Sequence, residues 1–91
     1  MAEPFVCPTC NAQGENADND CDHNIVFEPC LMETDPVCVL IVTTPSNLRK
    51  MRVRYCAGRE FYKMVKDRCN ARGTCKVAMC DISGCKVELP A

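Results

Sequence analysis

The residues with the most chemical potential come first in the chain: Cys7-Pro8-Thr9-Cys10. A turn that sets two thiols side by side is half of a tetrahedral zinc site, or a dithiol redox pair. A zinc site needs a second close pair. The later cysteines, at 21, 30, 38, 56, 69, 75, 80 and 85, are all at least five residues apart. The one histidine, His23, has no histidine partner. A redox dithiol opens a helix after a strand, whereas this one opens an acidic, Asn-rich stretch. Asp18-Asn19-Asp20-Cys21-Asp22 alternates acids as a calcium loop does. Such a loop also needs Gly at its sixth position and Glu at its twelfth. Counted from Asp18, those positions hold His23 and Pro29. The acids therefore read as a solvated loop. With one histidine, no Gly-x-Ser-x-Gly elbow and no Gly-rich phosphate loop, the expectation is a non-enzymatic chain with no catalytic residue, no cofactor and no metal.

Binding chemistry is better represented. Leu48, Arg49, Lys50, Met51, Arg52 and Arg54 mix guanidinium and ammonium groups with apolar neighbours, the make-up of an interface hot spot. Two segments must position them. Residues 37–44 (VCVLIVTT) are almost wholly apolar or β-branched and predict a strand. Residues 51–55 alternate strictly, with Met51, Val53 and Tyr55 on one face and Arg52 and Arg54 on the other. The turn chemistry of Pro45-Ser46-Asn47 joins them. The result is a hairpin over about 37–56 with a basic outer face and tip. Residues 25–27 suggest a short strand ended by Pro29. Residues 59–68 place Phe61, Met64 and Val65 at i, i+3 and i+4 and predict a short helix. Residues 7–24 read as turns, and 69–85 as tight loops with a short strand at 76–79.

Composition sets the class. The chain has 91 residues, ten of them cysteine, which predicts a single cysteine-rich domain, 1–91, built on disulfides. Each bridge contributes roughly 2–4 kcal/mol, mainly by restricting the unfolded chain, so a modest core suffices. An even cysteine count suits five bridges and an extracellular compartment. The opening Met1-Ala2-Glu3-Pro4 is neither basic nor apolar, so the expectation is a secreted chain whose signal has been removed. The longest apolar run, residues 37–42, is far short of a membrane span.

Net charge is −1, but the charges are segregated. Residues 1–48 hold eight acids and no base; residues 49–91 hold eleven bases and four acids. Either the molecule has an acidic and a basic pole that steer a charged partner, or the two halves interleave and neutralise each other. The balance and the few aromatics argue against a nucleic-acid partner.

The cysteine order carries a resemblance. Cys7-x2-Cys10 is followed by Cys21, Cys30 and a Cys38 that runs straight into Val39-Leu40-Ile41-Val42. A hairpin then returns to Cys56, and Cys80-Asp81-Ile82-Ser83-Gly84-Cys85 closes the series. This resembles the three-finger fold of Ly6/uPAR-type domains, snake three-finger toxins and TGF-β-family receptor ectodomains. The resemblance implies a small, mainly β, disulfide-rich domain with hairpins on a five-disulfide hub. It implies the pairs Cys7–Cys38, Cys10–Cys21, Cys30–Cys56, Cys69–Cys75 and Cys80–Cys85. It makes 37–56 the middle finger, and it implies a monomeric extracellular module that binds a receptor, ligand, or host or prey protein through its loops, with no membrane insertion. The alternative is a secreted inhibitor or toxin of complement, a chemokine, a protease or a channel, on another disulfide scaffold such as a von Willebrand C-like one.

Overall fold

A computed structural model of the chain describes residues 4–31, 34–43 and 50–89. Its elements are β1 (Val6–Gln13), α1 (Ala17–Asp22), β2 (Val26–Pro29), β3 (Pro36–Thr43), β4 (Met51–Gly58), α2 (Arg59–Arg72) and β5 (Cys75–Cys80). The strands form one antiparallel sheet in the order β2-β1-β4-β3-β5. Among the described residues, no helix is long and apolar enough to cross a membrane.

The β3–β4 hairpin is where the sequence puts it. Its register runs from Pro36 opposite Gly58 to Thr43 opposite Met51. β3 lies inside the sheet, between β4 and β5, which suits its unbroken apolar run. Alternation along the paired strands gives one face Val37, Val39 and Ala57, all buried. Tyr62 of α2 closes this cluster, with Ile41, Tyr55, Val77 and Met79 packed around it. The opposite face carries Cys38, Leu40 and Val42, with Arg54 opposite Leu40 and Arg52 opposite Val42. All five are buried, so both faces of the hairpin are covered.

Five disulfides close, using all ten cysteines: Cys7–Cys38, Cys10–Cys21, Cys30–Cys56, Cys69–Cys75 and Cys80–Cys85. These are the five pairs named above. Cys38 lies opposite both Cys56 and Cys80 in the sheet. Three bridges therefore gather at one end, where β1 and β3 begin and β2, β4 and β5 finish. Five bridges in so short a chain are typical of extracellular proteins.

Three readings of the sequence need correction. Residues 7–24 are not all turns, since β1 and α1 lie there. β1 is masked by its Pro, Asn and Gln content, and it is ordered by pairing with β2 on one side and β4 on the other. α1 has only Ala17 and Cys21 on its buried side, too few positions to show a helical period. Secondly, Pro29 does not end the 25–27 strand but belongs to it, opposite Val6. β2 is an edge strand, where the missing N–H costs little.

Thirdly, the helix runs to Arg72, four residues past the expected end. It stops at Gly73, whose φ of 68° is the left-handed conformation that ends helices and favours glycine. The Gly73 N–H donates to the Cys69 carbonyl at 2.8 Å. The helix buries Tyr62, Val65 (in part) and Cys69, spaced i, i+3 and i+7, leaving Phe61 and Met64 at the surface. The Cys69–Cys75 bridge ties the helix end to β5 and so fixes which side faces the sheet. The short strand expected at 76–79 is β5, one residue longer at each end.

Candidate functional site

Of the six residues singled out for binding, the four that the structure describes do not form one open surface. Leu48 and Arg49 lie outside the described residues. Met51 is half-buried beside Gln13, whose Nε2 donates to its sulfur at 3.8 Å. Lys50 pairs with Asp18 of α1 at 2.5 Å.

Arg52 and Arg54 reverse the expectation of a basic outer face, being only 6% and 1% exposed. α1 packs over the even-numbered positions of β4, and the segment after Cys85 runs beside them. Arg52 grips the Asp22 carboxylate with two nitrogens, Nε and Nη2, each at 3.1 Å. Its Nη1 reaches Asp18 at 3.5 Å. Arg54 donates from Nε to Asp22 at 3.2 Å and from Nη1 to the Val87 carbonyl at 2.6 Å. Glu88 spans both guanidiniums, with Oε2 3.1 Å from Arg52 and Oε1 2.9 Å from Arg54. Two buried cations thus share three carboxylates and a carbonyl. That is what makes their burial tolerable, since a lone buried charge is costly.

Burial pushes the Asp22 carboxyl up, but its hydrogen bonds to Arg52 and Arg54, and their charge, outweigh that and hold it below the usual range. Two of the acids read as a solvated loop, Asp18 and Asp22, therefore belong to an ion cluster with the β4 arginines, while Asp20 stays exposed. Of the two readings of the charge split, this region follows the interleaved one. Glu88 was not singled out in the sequence at all. The signal that could have found the cluster was two alternating arginines in a chain whose first half holds only acids.

Arg59 at the start of α2 makes a second clasp. Its Nε donates to Asp35 at 3.0 Å and its Nη2 to Asp81 at 3.1 Å, while its backbone N–H donates to the Asp35 carbonyl. Asp81 and Asp35 raise the affinity of this guanidinium for its proton. Every sulfur that a metal site could use, including the groups Cys38/Cys80/Cys85 and Cys10/Cys21/Asp22, is already in a disulfide.

With these pairs made, the bases without an ion-pair partner among the described residues are Lys66, Arg68, Arg72 and Lys76. All lie on α2 or β5. Phe61 and Met64 of α2 are 49% and 43% exposed. Val26 and Phe27 of the edge strand β2, and Leu31 beyond it, are exposed as well. Comparison of the chain with family models, curated proteins and solved structures finds no match.

Proposed function

We propose that this chain is an extracellular, non-enzymatic, three-finger-like module that binds a protein. The β1–β2 pair, the β3–β4 hairpin and the α2–β5 unit would be its three arms, extending from the bridged end of the sheet. The bridge between Cys30 and Cys56 supports this frame over a scaffold that ties Cys56 into residues 69–85.

The observation that carries the reading is the exposure of large apolar side chains on a cross-linked frame: Val26, Phe27, Leu31, Phe61, Met64 and Ile82. Apolar side chains exposed side by side mark interaction surfaces, and Phe61 and Met64 are neighbours on the surface of α2. The bridges also reduce the ordering cost of association.

The test is a selection of random displayed peptides on the immobilised oxidised domain, with the reduced and alkylated domain as counter-selection. The expected result is one or a few related peptide families that bind the oxidised domain alone and saturably. A selection that enriches nothing over the counter-selected background overturns the reading.

A further inference from the structure

α2 carries five bases and two acids, and Arg59 is already committed to Asp35 and Asp81. At 100° per residue, Phe61, Met64, Arg68 and Arg72 fall at i, i+3, i+7 and i+11, within about a quarter-turn of one another. All four are exposed. Neither Arg68 nor Arg72 has an ion-pair partner among the described residues. The stripe cannot roll inward. Tyr62 and Cys69 hold the other side of the helix against the sheet, the Cys69–Cys75 bridge pins one end and the Arg59 clasp pins the other.

We infer that this stripe is a docking surface for an acidic segment of a partner protein, one that presents an aliphatic or aromatic group at one end and carboxylates at the other. The inference rests on the protein-binding reading above and names its surface and its chemistry. Charge complementarity selects the occupant. Along the helix the two apolar side chains come first and the two guanidiniums after them, and planar guanidinium pairs with carboxylate through two parallel hydrogen bonds. Arginine and aromatic anchors that meet a partner in a desolvated patch are the groups that dominate binding energy.

A bilayer surface fits less well. Membrane-lying helices present a broad apolar face, and here Tyr62 and Cys69 are spent on the core while two apolar side chains remain outside. A polyanion fits less well too, because it needs a continuous basic track and Glu60 and Asp67 interrupt the bases of α2, whereas a short segment need meet only Arg68 and Arg72.

The test uses the intact oxidised domain and the displayed peptides enriched on it. They should join a Leu, Phe or Met to a cluster of Asp and Glu on one side of it. R68E/R72E should lower their affinity about tenfold or more, and F61A by a similar factor, as truncated hot spots do. M64A should have a smaller effect, and R68K/R72K should recover only part of the binding. E15K, on the β1–α1 turn, should change nothing. Near-UV circular dichroism and an intact mass with no free thiol show that each variant is folded.

Enriched peptides that are neutral or basic overturn the assigned chemistry. Acidic peptides whose affinity ignores the stripe variants overturn the surface and leave the protein-binding reading standing. A selection that enriches nothing overturns both. Stripe-dependent binding that is stronger to heparin, or to vesicles of equal parts phosphatidylcholine and phosphatidylserine, overturns the protein partner in favour of that polyanion or membrane.

Discussion

The molecule has two arginine-rich stretches, and it uses them in opposite ways. On β4, Arg52 and Arg54 point into a roof made by α1 and residues 85–89 and are matched by Asp18, Asp22 and Glu88. On α2, Arg68 and Arg72 point outward and are matched by nothing among the described residues. The side chain is the same in both places. Its role is decided by whether another element with carboxylates packs over it. Asp18 and Asp22 are placed by the Cys10–Cys21 bridge, which fastens α1 to β1 beside β4. Among the described residues no corresponding acidic element covers α2.

The largest expected effect comes from reversing a charge in the covered stretch. Arg54→Glu sets a carboxylate against Asp22 and Glu88 and strands the Val87 carbonyl. Breaking a buried pair costs about 3–5 kcal/mol, a large share of the stability of a domain this size. Urea denaturation with the bridges intact should show that loss, and oxidative refolding should give a lower yield of the five-bridge species. A midpoint within error of the parent would mean that the β4 arginines are no more structural than those of α2. Arg52→Glu should behave alike but more mildly, because Arg52 faces a more open edge at Asp18. It is therefore unsuitable for testing binding, although in the sequence it belongs to the candidate contact group.

Much of the frame was legible before the structure. The β3–β4 hairpin follows from a β-branched run, a turn and a strict alternation. The helix after it follows from residue preference, although its period pointed to Phe61, Met64 and Val65 as the inner side. Val65 is partly inside, but Tyr62 and Cys69 are buried in place of Phe61 and Met64, and the reason lies outside the helix. The bridge from Cys69 to Cys75 and the clasp at Arg59 set the rotation, and the clasp depends on Asp35 and Asp81, each more than twenty residues away. Likewise, alternation showed that Arg52 and Arg54 share a face, but not that α1 would cover it. A strand reports its two faces, not what lies on each. α1 and β1 were illegible because neither has a local signal strong enough without its sheet partners and its disulfide.

Acid should weaken the covered stretch selectively. The Asp22 carboxyl is held below its ordinary value, so its contribution is complete above the unfolded-state value, near pH 4. It is lost as pH falls through the lower folded-state value. Asp22→Asn removes this dependence. The variant should be less stable at neutral pH by about 1–3 kcal/mol, the usual cost of leaving charged hydrogen-bonding partners short. Its denaturation midpoint should also vary less than the parent's between neutral pH and pH 3. An unchanged acid profile would show that Asp22 does not couple the two guanidiniums.

The comparison can be sharpened at the end of α2. Gly73→Ala forces a side chain into a left-handed conformation, although the space around it is open. The expected cost is about 1 kcal/mol, borne by the backbone rather than by packing. The last helical turn would fray and Arg72 would lose its fixed direction. Binding of acidic peptides should then fall more than stability does. If stability and peptide affinity fall together in proportion, the stripe is not held by its cap.

The smallest effect on stability is expected from the variant that matches Arg54→Glu most closely in chemistry. Arg68→Glu with Arg72→Glu reverses two charges instead of one, yet both side chains already lie in water and make no ion pair with a described residue. Substitutions at such positions usually shift stability by no more than about 0.5 kcal/mol. Arg72 also stands in the last turn of the helix, where a cation is favoured by the helix dipole and an anion is not, so the sign of the small change should be a loss. Set beside the β4 variant in the same urea titration, it separates the two uses of arginine. If the double reversal on α2 costs as much as the single one on β4, something covers the helix as α1 covers β4. The stripe would then be part of the fold and not free to meet a partner.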